Sequence, residues 1–175
     1  MIKNKKLNLG CGKDIKEGYI NVDSIKLPGV DKVVDLNKYP WPFKDNEFDF
    51  VLCSHILEHL NSIIKPLEEI WRITKKNSKV KILVPISPSV YAFADPAHKQ
   101  FYTYFTFNYF KEEHNPNYYS KARFKIKSRK IIFSKYLKPI EILVNSTELT
   151  KKAWASLFYF LFPAEVLEIE LEVLK

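Results

Sequence analysis

A chain of 175 residues with 46% hydrophobic side chains is long enough to fold as one domain around a continuous core. The 28 lysines and arginines outweigh 20 acidic residues to give a formal charge of +8, yet arginine stands only at 72, 123 and 129, which argues against guanidinium-based reading of nucleic acid. Two cysteines exclude a disulfide scaffold, and the longest uncharged apolar run, 153–164, is shorter than the about 20 residues a bilayer demands. The basic start, residues 1–6, meets an apolar stretch broken by Asn8 and Gly10, so no secretory leader is expected and a cytoplasmic setting is.

The first strand is expected over 6–9 and runs into the turn Gly10-Cys11-Gly12, where backbone without side chains can lie against a ligand. Only residues 13–18 separate this turn from a second strand, 19–23, too few for a crossover helix, so a loop is expected there. That strand ends in Asp23, and a third, 32–35, ends in Asp35. Ligands of open α/β sheets bind at the carboxyl ends of the strands, so both carboxylates face one crevice. A fourth strand spans 48–54. Ile56, Leu60, Ile63, Leu67 and Ile70, spaced by three and four, predict a helix over 55–74 with Ser54 as N-cap and Asn77 as a left-handed C-cap.

A fifth strand is expected over 80–85. From 87 to 119 aromatic residues surround the polar string Asp95-Pro96-Ala97-His98, and the chain then offers a strand at 123–133, a helix at 147–162 and an alternating strand at 166–174. No linker or repeat divides the sequence. A single domain over 1–175 is expected, with a cofactor-binding half at 1–86 and a substrate loop and closing strands at 87–175.

The segment Leu7-Asn8-Leu9-Gly10-Cys11-Gly12, the acids Asp23 and Asp35, and the run from Phe48 to Leu60 together resemble the class I S-adenosylmethionine (SAM) dependent methyltransferases, in particular their short type 11 branch. The resemblance covers about residues 5 to 110. It implies an α/β Rossmann-like, mostly parallel sheet with helices on both faces and a C-terminal antiparallel strand. It also implies SAM as cofactor: Gly10 and Gly12 at the methionine moiety, Asp23 on the ribose hydroxyls and Asp35 near the adenine amine, with Leu9, Cys11, Ser24, Leu36 and Ser54 lining the same crevice. Asn8 stands where the family usually has an acid, and Asp14 where it has a glycine.

These residues admit other readings. Ile15 occupies the position where a dinucleotide fingerprint needs glycine, which disfavours a nicotinamide enzyme. Singly, each aspartate could be a turn-former. His55-x-x-Glu58-His59 matches the inverted zincin pattern of a zinc hydrolase, but no distant glutamate is identifiable as third ligand, so no metal is expected. Asp95 and His98, three apart in a loop, suit a carboxylate-oriented imidazole, or a loop-locking pair. The aromatics of 87–119 suit a hydrophobic cap or dimer surface better than a base-stacking platform. The apolar helix at 147–162 reads as core, with a protomer interface or membrane-surface contact as alternatives.

The expected function is therefore methyl transfer from SAM to a small molecule, a sugar or lipid-linked intermediate. His55, Asp95 and His98 are the candidate catalytic residues. An RNA methyltransferase and a non-catalytic SAM-binding protein are the competing readings.

Overall fold

Seven strands build one sheet: β1 (Lys6–Leu9), β2 (Tyr19–Asp23), β3 (Lys32–Val33), β4 (Phe48–Ser54), β5 (Thr74–Pro85), β6 (Arg123–Ile132) and β7 (Val166–Leu174). The structure is a computed structural model that describes residues 4–113 and 118–175; the start of the basic segment and residues 114–117 of the aromatic one lie outside the described residues. The spatial order is β3-β2-β1-β4-β5-β7-β6. β1 to β5 pair in parallel, and β7 inserts antiparallel between β5 and β6. In-register residues of the central strands, Leu7 with Val51, Leu9 with Cys53 and Val51 with Val80, are fully or almost fully buried and form the middle of the core.

The connection over 10–18 carries no helix, as its length predicts. Two buried amides hold it instead. Asn8 Nδ2 donates to Asn21 Oδ1 at 3.0 Å and to the Asp14 carbonyl at 2.9 Å, while the Lys16 amide donates to Asn21 Oδ1 at 2.9 Å. Asn8 is thus spent on tying the loop to the sheet.

The helix expected over 55–74 is not continuous. The His55 amide donates to the Leu83 carbonyl at 2.9 Å, extending the β4–β5 ladder one residue past β4, and His55 takes a left-handed φ of 52°. A single 3₁₀ turn follows at Leu57–His59, and only then does α1 (Ile64–Ile73) begin. Its first amide is capped by Ser62 Oγ at 3.1 Å, not by Ser54, which ends β4. At the other end α1 passes directly into β5 at Thr74. Asn77 is left-handed (φ 62°) as expected, but within a strand irregularity: Phe48 pairs with Thr74 and Phe50 with Lys79, so the surplus residues bulge.

Arg72 of α1 fastens the chain between β3 and β4. Its guanidinium reaches Glu69 at 2.7 Å, Asp45 at 2.7 Å, and the carbonyls of Trp41 and Phe43 at 3.0 and 2.9 Å, while Glu69 accepts the Trp41 amide at 2.6 Å. Removing the guanidinium would leave the largely buried Glu69 uncompensated. Arg72→Ala is expected to cost about 2 to 4 kcal/mol, toward the lower part of the range for broken buried pairs because the site is partly open. A denaturant melt that stays within about 0.5 kcal/mol of wild type would refute this assignment.

The segment after β5 splits its aromatics in two. Tyr102, Tyr104, Phe107 and Phe110 are buried in the core, whereas Tyr91, Phe93, Phe101 and Phe105 are exposed. Beyond β6 come α3 (Lys138–Val144), which no spacing suggested, and α4 (Glu148–Ala153), which ends in a π-helical turn at Trp154–Phe158 rather than continuing to 162. Core packing holds for Trp154 but not for its neighbours: Leu157, Phe158, Phe160 and Leu161 are exposed. Among the described residues no helix is long and apolar enough to cross a membrane.

Candidate active site

The carboxyl ends of β1, β2, β4 and β5 share one edge of the sheet, and two features meet there. The first is the glycine turn after β1. Gly10 and Gly12 both have positive φ, 64° and 50°, and the Gly12 amide donates to Asp23 Oδ2 at 2.8 Å. The acid ending β2 is therefore aimed at the turn ending β1. Its other oxygen accepts the Ile25 amide at 3.2 Å, which leaves unshared lone pairs for a diol. Space beside Gly12 is open: a methyl group placed on it would meet no atom within 4 Å. Gly10 is closed in, because an added Cβ would lie 2.5 Å from Ile56 Cδ1.

This arrangement fits the adenosine and methionine parts of SAM, with an open backbone cradle at Gly12 beside an oriented carboxylate. Leu9, Cys11 and Leu36 are buried, so only their backbones can face a cofactor. Ser54 is half-buried at the end of β4 and Ser24 is exposed beside Asp23. Asp35 is engaged locally: Oδ1 accepts the Asn37 amide at 3.0 Å and Oδ2 lies 3.4 Å from Lys38 Nζ, so it behaves as a turn-former with an exposed carboxylate.

Gly10→Ala combines a strained φ with a collision against Ile56. It is expected to lower the melting temperature and weaken SAM binding, with Ile56→Ala in the same chain restoring part of the stability. A Gly10→Ala protein as stable as wild type would contradict the packing described.

The second feature is a cavity of about 740 Å³ lined by His55, Glu58, His59, Asp95, His98 and Glu165, with Pro85, Tyr91 and Val166 completing its apolar wall. Two backbone bonds assemble it: the amides of Lys99 and Gln100 donate to the Glu58 carbonyl at 2.7 and 3.1 Å, docking the 95–100 loop on the 3₁₀ turn. The His59 and His98 rings consequently stand edge to face with centroids 4.8 Å apart. Three of the chain's four histidines converge here, and the fourth, His114, lies outside the described residues.

Glu58 is the least expected member. It is 1% exposed, and neither of its side-chain oxygens accepts a hydrogen bond among the described residues, although His55 Nδ1 lies 3.3 Å from Oε1. Its charge is felt nearby. Burial first, and then this carboxylate, push the Cys53 thiol and the Tyr102 phenol above their ordinary ranges. Sequence spacing placed Glu58 in a helical first turn and gave no hint of its burial.

His98 is oriented, but not chiefly by Asp95. His98 Nδ1 lies 3.0 Å from the Ala92 carbonyl, whereas Asp95 Oδ2 is 3.9 Å from Nε2 and Asp95 Oδ1 is occupied by the Ala97 amide at 2.8 Å. The backbone carbonyl selects the tautomer with hydrogen on Nδ1, leaving the Nε2 lone pair free. Ala92 belongs to α2 (Val90–Ala94), capped by Ser89.

The strand order, with the glycine turn and an aimed acid at its carboxyl edge, defines the class I methyltransferase fold. Residues 7–82 match the profile of a methyltransferase domain family. An uncharacterized protein of Methanocaldococcus jannaschii is 36% identical over a 97-residue alignment that covers 47% of this chain and 43% of that protein, so the match spans less than half the relative's length. Among solved structures, a SAM-dependent methyltransferase from Archaeoglobus fulgidus superposes with TM-score 0.63 at 21% identity, covering 97% of this chain and 86% of its own. Phosphoethanolamine N-methyltransferase 2 of Haemonchus contortus, in complex with S-adenosyl-L-methionine, gives TM-score 0.62 at 14% identity over 98% of this chain and 49% of that one. The resemblance drawn from the glycine turn and the two acids is borne out in fold, and the methyltransferase-domain match falls on the part of the chain that carries it.

Proposed function

We propose that this chain binds SAM at the Gly10–Gly12 turn and Asp23, and transfers its methyl group to a small-molecule acceptor held in the neighbouring imidazole-lined cavity. The observation that carries the reading is the adjacency of the two features: Ile56, which packs on Gly10, is flanked by His55 of the cavity. Bound SAM supplies an electrophilic sulfonium methyl, so the protein's task is positioning plus removal of an acceptor proton where one must leave. Asp23 holds the ribose end. The apolar wall of Pro85, Tyr91 and Val166 shields the acceptor, His55 offers a nitrogen to receive its proton, and His98 Nε2 faces the acceptor from the other side of the cavity.

An acceptor bearing hydroxyls, such as a sugar or a lipid-linked intermediate, suits a cavity of this size edged by Asp95 and Glu165. RNA is the poorer candidate. All three arginines are engaged within the chain: Arg72 as above, Arg123 on the Ser120 and Ala122 carbonyls, and Arg129 on Asn108 and over the Tyr104 ring. The test is to incubate the protein with methyl-labelled SAM and fractionated cell extract and to follow the label by mass spectrometry. Label in a small polar metabolite fraction supports the reading; label confined to RNA transfers the assignment to the competing class.

A further inference from the structure

We propose that Glu58, His59 and His98 form a binding site for one divalent transition-metal ion at the wall of the acceptor cavity. One donor atom from each residue lies within 4.8 Å of the others. Two imidazoles and a carboxylate are the donor set that zinc and other first-row divalent ions favour. Bond lengths of about 2.0–2.2 Å require the donors to draw together by roughly an ångström on loading.

Three observations beyond proximity point to a cation. The Glu58 carboxylate is 1% exposed and neither oxygen accepts a hydrogen bond among the described residues, while His55 Nδ1, 3.3 Å from Oε1, is a counter-charge only when protonated; this is a costly state for a buried carboxylate unless a cation meets it. His98 Nδ1 is held by the Ala92 carbonyl at 3.0 Å, the support that metal-ligating histidines characteristically have behind the ring, and this leaves Nε2 as the nitrogen able to ligate. The cavity of about 740 Å³ beside the three residues leaves room for a substrate atom to complete the coordination, the open position of a catalytic rather than a structural site.

This site differs from the one the His-x-x-Glu-His spacing suggests. The left-handed φ of 52° at His55 takes that residue out of the helical register with His59, and the missing third ligand arrives from residue 98, forty residues on. His55, 47% exposed in its side chain, is left outside the ligand set. The inference deepens the methyltransferase reading and rests on it only for the ion's use: the ion would bind the acceptor oxygen and acidify its proton, which His55 or Asp95 then receives.

The test uses the full chain, stripped by chelator dialysis and titrated with cobalt(II) chloride, by calorimetry and by the visible absorption of cobalt. One equivalent should bind with low-micromolar affinity or better. His98→Ala and His59→Ala should each weaken binding by at least fiftyfold, while His55→Ala should retain it within threefold. Should a ligand variant fail to fold by circular dichroism, the wild-type stoichiometry and the His55→Ala result still decide. Absence of a stoichiometric cobalt site, or binding that survives loss of His98 but not of His55, overturns the proposal in favour of Glu58 paired only with protonated imidazoles or of the His55–His59 pattern. A parallel SAM titration separates the two readings, because cobalt bound without SAM would sink methyl transfer alone, and SAM bound without cobalt would sink the metal site alone.

Discussion

Asp23→Ala is expected to weaken binding of SAM and of S-adenosylhomocysteine by about ten- to a hundredfold. Its carboxylate is placed at the end of β2 and held toward the glycine turn by the Gly12 amide at 2.8 Å. Losing a pair of hydroxyl hydrogen bonds to a charged acceptor costs roughly 1.5 to 3 kcal/mol. The substitution also frees the Gly12 amide, so part of the loss is preorganisation of the turn. Asp23→Asn, which can keep an acceptor for that amide, should fall between wild type and alanine. Asp35→Ala should matter less, under tenfold, because Asp35 already serves Asn37 and Lys38. Calorimetric titration of the three variants checks the order, and an Asp35 effect larger than that of Asp23 would contradict it.

His98→Ala is expected to depress methyl transfer by about a hundredfold, the loss typical of a group acting directly on a transferred proton or its acceptor, with SAM affinity within twofold of wild type. The side chain is 8% exposed, stands against His59 and is braced by the Ala92 carbonyl. A loop-locking role predicts a different pattern, in which melting temperature, SAM affinity and turnover fall together. Asp95→Ala provides the contrast. With its nearer oxygen 3.9 Å from His98 Nε2, and with Asp95 half-exposed, it should reduce turnover by less than tenfold. Unchanged turnover in the His98 variant would dismiss that residue from the chemistry.

Several strands were legible because their endings are chemically abrupt. The expected bounds 6–9, 19–23, 48–54 and 166–174 coincide with β1, β2, β4 and β7; β1 is closed by a glycine turn, β2 by an acid and β4 by the bend at His55, while β7 shows itself by strict alternation. The helix over 55–74 failed for a reason apolar spacing cannot register: a single ladder bond from the His55 amide to Leu83 competes with the first helical turn and wins. Likewise the capping potential of Asn77 was real, but α1 needed no cap once its chain continued as β5.

The meeting of the glycine turn with the acid ending β2 was readable, since Gly12 and Asp23 are close in sequence on neighbouring strands. The cavity was readable only in its members His55, Asp95 and His98, not in how they come together. His59 and His98 meet because the amides of Lys99 and Gln100 bind the Glu58 carbonyl, and backbone bonds leave no mark on residue type. Glu58 looked like an ordinary first-turn acid, and Glu165 gave no signal, since it enters only through the antiparallel return of β7 beside Pro85.

Calorimetric titration of the wild-type protein with S-adenosylhomocysteine tests the central claim most directly. A single site filled by one equivalent, with heat lost in Asp23→Ala, is the predicted result. A folded protein that gives no binding heat with either this ligand or SAM over a range of temperatures would contradict the methyltransferase assignment.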